Sequence, residues 1–144
     1  MSTTLAQAVR NAIEVEKAAA EFYSRLAAAT HDRQARGFLE EIARQEQEHA
    51  RCIEDFGRRL DLGELPTRPD LNIEIVETSP EWQYHDNISM TEALQVALDN
   101  ENNAAMYYEA LASSGEGEIR EFFESLTRTE EEHARRLGAM IAAQ

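Results

Sequence analysis

Apolar residues recur at spacings of three and four along most of the 144-residue chain, which is the period of an amphipathic helix. Four such tracts span about residues 3–30, 32–56, 89–114 and 118–142. Thr30 and Asp32 each suit the N-cap of the second tract, and Ser89 opens a Ser-Met-Thr-Glu capping box before the third. The pattern therefore predicts four helices and an all-α protein.

The two halves of the chain repeat each other. Residues 38–51 align with residues 122–135 at an offset of 84, and eight of the 14 positions are identical. A short turn within each half makes its two helices pack antiparallel, so each half is expected to form a helical hairpin. All three prolines lie between the halves, in a stretch long enough when extended to return the length of a helix. We therefore expect a single-domain four-helix bundle over residues 1–144, with hairpin 3–56, crossover 57–88 (extended at 72–77) and hairpin 89–142.

Each predicted helix has a carboxylate in the middle of its apolar seam, and on the second and fourth helices a histidine follows three residues later. The six residues are Glu16, Glu46, His49, Glu101, Glu130 and His133. Glu14 is a rival to Glu16, but only Glu16 continues its seam; Phe38 and Phe122 begin the seams of the second and fourth helices. The spacing Glu-x-x-His puts both side chains on one side of a helix.

Four carboxylates in one core need a compensating charge, because an isolated buried carboxylate is strongly destabilising. Their formal charge of −4 is balanced by two divalent cations. Carboxylate and imidazole ligands suit iron or manganese, with zinc possible. The sequence therefore predicts a di-metal centre. The alternative interpretation is that each histidine is a core residue paired with the glutamate of its own helix.

Composition narrows the classes of function. The chain has 28 acidic and 14 basic residues, and its formal net charge of −14 disfavours nucleic acid and anionic membrane surfaces as partners. The single cysteine, Cys52, excludes an intrachain disulfide and makes a reduced, cytoplasmic location the expectation. We expect Cys52 to be a small buried residue, and Met106 and Met140 to fill the core and not to bind haem. His31 and His85 receive no role.

A glutamate followed about 30 residues later by Glu-x-x-His, twice in one chain, resembles the ferritin-like di-iron carboxylate superfamily, and rubrerythrin-like proteins in particular. The resemblance implies a ferritin-like bundle that binds two irons. It makes Glu46 and Glu130 the bridging ligands, the glutamates on the first and third helices terminal ligands, and each histidine a ligand to one metal. It also implies that Tyr23 and Tyr108 bond a ligand carboxylate; ordinary core tyrosines are the alternative.

The sequence departs from the rubrerythrin pattern in two places. Ala104 stands where these proteins often have an additional glutamate, so the ligand set is closer to that of bacterioferritins. A rubredoxin module needs two cysteine pairs, and Cys52 is the only cysteine. If the protein is a peroxidase, it therefore needs a separate electron donor, such as a rubredoxin.

The ligand set implies reaction with peroxide or O2 coupled to Fe(II) oxidation, as in a peroxidase or a ferroxidase. One alternative is iron storage or delivery without turnover. A second is a metal-free interaction bundle, in which leucine could replace the four seam glutamates without loss of stability. A homodimer or higher homo-oligomer is expected, and the long crossover would permit swapping of hairpins between protomers.

Overall fold

The structure, a computed structural model, describes residues 4–60 and 88–144. Helix α1 spans Leu5–Ala28, α2 Arg33–Arg59, α3 Met90–Ser114 and α4 Gly117–Ala142. The four predicted helices are confirmed, each end lying within three residues of its expected position. Apart from its ends, the predicted crossover, with the extended segment at 72–77 and with His85, lies outside the described residues.

Polar side chains determine where three of the helices begin. Thr4, Asp32 and Ser89 each accept a hydrogen bond from the backbone N–H three residues later, at 3.1, 2.9 and 3.1 Å. Thr30, the other candidate cap for α2, is buried and donates its hydroxyl to the carbonyl of Leu26 at 2.6 Å. Because Thr30 thus bonds the end of α1, Asp32 is the cap of α2.

The turn between α3 and α4 depends on two glycines. A Cβ at Gly115 would lie 2.7 Å from the Cγ2 of Ile119, closer than van der Waals contact allows. Gly117 has a φ of +56°, a backbone conformation that disfavours L side chains. Glu116 precedes α4 and makes no side-chain capping bond. The start of α4 therefore relies on the backbone freedom of glycine.

The helices pair within each half of the chain, α1 with α2 and α3 with α4. The connections between partners are short, so each pair is an antiparallel hairpin. The chain divides into two compact units, one for each hairpin. The predicted fold class, all-α with two repeated hairpins that supply four helices, is confirmed. No described helix has the length and apolar character needed to cross a membrane.

The apolar seams are buried as expected along most of their length, but two seams begin one residue later. Leu39 and Phe123 are fully buried, whereas Phe38 and Phe122 are half-buried. Leu39 lies three residues before Ile42 and Phe38 lies four before it. Since both spacings belong to a helical face, periodicity alone could not choose between them.

Two expected core residues are exposed. Cys52 is exposed because the neighbouring residues Ala50 and Ile53, not Cys52, turn inward on α2. Met106 is 57% exposed, while Ala105 and Tyr107 on either side are buried. Both predictions were wrong for the same reason: a residue type that is often buried was placed without reference to its position around the helix.

Candidate metal site

The first hairpin brings together three of the residues predicted as metal ligands. Glu16 comes from α1, and Glu46 and His49 come from α2. The Nδ1 atom of His49 lies 3.8 Å from Oε2 of Glu16 and 3.7 Å from Oε1 of Glu46. One potential ligand atom from each residue lies within 4.8 Å of the other two. We call these three residues the first half-site.

The second hairpin repeats this arrangement with Glu101 from α3 and with Glu130 and His133 from α4. Here Nδ1 of His133 lies 3.7 Å from Oε2 of Glu101 and 4.0 Å from Oε2 of Glu130. The ligand atoms of this trio also lie within 4.8 Å of one another. These residues form the second half-site, so each hairpin alone assembles two carboxylates and an imidazole.

The four glutamates of the half-sites are almost completely buried. Their exposed fractions are 0 or 1%. Buried alanines lie one turn before and after the glutamates of α1 and α3: Ala12, Ala19, Ala97 and Ala104. These small side chains leave room in the core for a carboxylate and its neighbours. Two carboxylates buried close together destabilise the folded state unless a positive charge compensates them.

The two half-sites differ in access to solvent. The side chain of His49 is 17% exposed, and that of His133 is 2% exposed. The residue types are the same in both hairpins, and the separations between imidazole nitrogen and carboxylate oxygen all lie between 3.7 and 4.0 Å. The two half-sites therefore contain the same ligand types, but the histidine of the first is more exposed to solvent than that of the second.

The donor atoms of each half-site fit a divalent metal ion. Oxygen and nitrogen ligands lie about 2.0–2.2 Å from such an ion, so adjacent donors are about 3–3.5 Å apart. The separations of 3.7–4.0 Å therefore need only a small contraction. The formal charge of two carboxylates equals that of one divalent cation in magnitude, and carboxylate with imidazole suits iron or manganese. Glu14, the rival of Glu16, is 36% exposed and pairs with Arg10 at 3.0 Å, outside the half-site.

Tyr23 and Tyr108 are both fully buried. Tyr23 packs edge-to-face on Phe22, with ring centroids 5.8 Å apart. Tyr108 stacks on Phe123 at 6.2 Å. Both rings therefore have apolar neighbours, as core tyrosines do, and bonding of their hydroxyls to ligand carboxylates stays a prediction.

Sequence reasoning missed two buried polar residues, Asn11 on α1 and Asn100 on α3. They are only 4 and 5% exposed. Asn11 accepts a hydrogen bond from the side-chain amide of Gln7 at 3.0 Å. Asn100 directly precedes Glu101, and this position beside a seam carboxylate is the one sequence feature that could have indicated its burial. A short polar residue beside a seam is also common on half-exposed helix faces, which is why the signal was weak.

The family model described as Rubrerythrin matches residues 7–141 of the chain. The match covers both hairpins and every residue of the two half-sites. No curated protein and no solved structure gives a match.

Proposed function

This chain belongs to the rubrerythrin family, within the ferritin-like di-iron superfamily, and from this premise we propose that it is a di-iron oxidoreductase. In this proposal, the two half-sites together hold two iron ions. The protein oxidises Fe(II) with peroxide or O2, as a peroxidase or a ferroxidase does. Manganese or zinc in place of iron is the alternative metal content.

The observation that carries the proposal is the duplicated, buried set of two carboxylates and one imidazole. A core selected for stability alone gains little from such a set, since apolar residues of similar volume are often as stabilising or more so. The same set occurs at the same place in both hairpins, with 3.7–4.0 Å between the imidazole nitrogen and each carboxylate oxygen. A function that needs two metal ions explains both the unfavourable burial of the carboxylates and their duplication.

In this proposal, each residue of the half-sites is a metal ligand. Glu16, Glu46 and His49 would hold an ion in the first half-site, and Glu101, Glu130 and His133 would hold an ion in the second. The buried alanines and aromatic rings exclude water from the carboxylates, and the hydroxyls of Tyr23 and Tyr108 orient them. When bound, two ferrous ions supply one electron each, and with two protons these reduce one peroxide to two waters.

Three further points belong to the proposal. The protein works in the cytoplasm, consistent with its single cysteine. As a peroxidase, it takes electrons from a separate donor protein such as a rubredoxin. It forms a homodimer or a higher homo-oligomer.

Anaerobic titration with Fe(II) tests the proposal most directly. Chelator-treated protein should take up two ferrous ions per chain, measured by equilibrium dialysis and metal analysis. Adding one equivalent of peroxide should then oxidise both, with a rise in near-ultraviolet absorption. His49→Ala and His133→Ala should each lose about one ion per chain. Glu14→Gln is the matched control and should bind as the unmodified protein does.

The same titration separates the alternatives. Uptake well below two ions per chain, or no spectral change on oxidation, would refute the di-iron proposal. Continued uptake far above two ions per chain would favour storage. Two ions per chain with many turnovers of peroxide, given a reductant, would establish the peroxidase. No metal uptake by the unmodified protein, together with equal or better stability after leucine replaces all four glutamates, would favour the metal-free bundle.

A further inference from the structure

Each hairpin also has a surface groove between its two helices, separate from the half-site residues. The first groove, of about 340 Å³, is lined by Ser24 on α1 and by Arg36, Glu40, Arg44 and Gln47 on α2, with small alanines between them. This groove has two cationic side chains and one carboxylate. It is therefore locally positive on a chain whose formal net charge is −14.

The second groove lies at the equivalent place in the other hairpin and has the same volume, about 340 Å³. Its charged lining residues are Glu109, Arg120, Glu124, Arg128 and Glu131, and Ala112, Ser113 and Thr127 complete the lining. Each corresponds through the repeat to a residue of the first groove, at the offset of 84 on the second helix and 85 on the first. Both arginines are kept, but glutamates replace Ser24 and Gln47. The second groove is therefore locally negative. The two equivalent grooves of one chain can thus be compared as a positive and a negative version of the same surface.

Arg44 is the arginine of the first groove that is available to a ligand. The carboxylate one turn before it, Glu40, pairs with Arg36 at 2.9 Å. The carboxylate one turn after it, Glu48, pairs with Arg51. Arg44 is exposed, and within the described ranges it makes no ion pair. Its guanidinium is therefore available to donate hydrogen bonds to an anionic ligand from outside the chain.

We infer that the first groove is a binding site for a small free oxyanion, with inorganic phosphate as the probe. A guanidinium can donate two parallel N–H bonds to one oxyanion, which makes arginine a suitable anchor. The hydroxyl of Ser24 and the amide of Gln47 line the same groove and add neutral donors. The strong net negative charge disfavours larger polyanions such as nucleic acid and anionic membranes, which leaves a small ligand.

The second groove should not bind this ligand. Glu109 and Glu131 line the groove beside Arg128 and would repel an anion there. At a separation of about 7 Å, and with the screening usual at a protein surface, one extra carboxylate weakens binding of a single negative charge about three- to tenfold. Two carboxylates against a doubly charged phosphate lower the affinity by well over tenfold. This inference does not depend on the proposed function of the half-sites.

Equilibrium dialysis with radiolabelled phosphate tests the inference on the full chain, at constant ionic strength. We expect Arg44→Gln to lower the affinity at least tenfold, and Arg128→Gln, its matched control, to leave the affinity unchanged. Gln47→Glu should also weaken binding at least tenfold. The double variant Glu109→Ser with Glu131→Gln should gain a second site. Circular dichroism confirms that each variant is folded.

Phosphate could also bind to metal in the half-sites, and His49→Ala separates that case. The inference expects this variant to keep phosphate binding even where it loses metal. Equal effects of Arg44→Gln and Arg128→Gln, or loss of binding in His49→Ala alone, would overturn the inference. Absence of measurable phosphate binding at millimolar concentrations would overturn it too. None of these outcomes depends on whether the protein oxidises iron.

Discussion

Replacing Glu16 by leucine should shift stability less favourably with metal than without it. The side chain of Glu16 is 1% exposed, and its Oε2 lies 3.8 Å from Nδ1 of His49, beside the second buried carboxylate, Glu46. Leucine has a similar volume and carries no charge. In the metal-free protein, removing one of two buried carboxylates should raise the free energy of unfolding by about 1–4 kcal/mol.

In the metal-loaded protein the same change removes a ligand. Metal present at 100 to 1,000 times its dissociation constant stabilises the folded state by about 2.7–4.1 kcal/mol. Losing one of the two bound ions removes a stabilisation of about this size, because leucine cannot bind metal. The shift measured with metal should therefore lie about 2.7–4.1 kcal/mol below the shift measured without it.

Urea denaturation followed by circular dichroism measures both values, once with a chelator and once with anaerobic Fe(II). Glu14→Leu is the matched control, since Glu14 is two residues away, 36% exposed and paired only at the surface with Arg10. It should shift stability by less than about 0.5 kcal/mol in either condition. If Glu16→Leu shifts stability equally, within about 0.5 kcal/mol, with and without Fe(II), the reasoning about a buried metal ligand is wrong.

Three further results are expected. Leu39→Ala should lower the free energy of unfolding by about 2–5 kcal/mol in urea titrations, because Leu39 is fully buried, and Phe38→Ala should lower it less, because Phe38 is half-buried. Partial burial and then the carboxylate of Glu48, whose Oε1 lies 3.8 Å from Sγ, raise the pKa of the Cys52 thiol. The alkylation rate of Cys52 should therefore rise with pH, and the pH at which it reaches half its maximum should be higher than for an ordinary thiol. Glu48→Gln should lower this midpoint pH, and an unchanged value would contradict the assigned cause. Gly117→Ala should lower the free energy of unfolding by about 1–2 kcal/mol, measured as a lower thermal midpoint, because φ is +56° at this position. No neighbouring atom obstructs a Cβ there, so the loss would come from the backbone conformation.

The candidate site could be predicted in detail because its signal is local and repeated. Periodicity places Glu16 on a buried seam, and the three-residue spacing puts Glu46 and His49 on one side of α2. Each of these inferences needs only the geometry of a single helix. The internal repeat then gives an independent second instance, in Glu101 and the pair on α4. Short turns add the pairing of neighbouring helices, which brings the two parts of each half-site together.

Other features depended on contacts between helices, which no single-helix pattern contains. Periodicity fitted Phe38 and Leu39 equally well, and only the tertiary structure shows that Leu39 is fully buried and Phe38 half-buried. Residue type suggested burial of Cys52, but its angular position on α2 left it exposed. The sequence also supplied two arginines at matching places in α2 and α4. Only the tertiary structure placed the uncharged Ser24 and Gln47 in the groove of Arg44, and Glu109 and Glu131 in the groove of Arg128. The sequence by itself thus determined the helices, their hairpins and the ligand candidates, because these follow from order along one chain. The tertiary structure decided burial and local charge, because both depend on what a neighbouring helix places nearby.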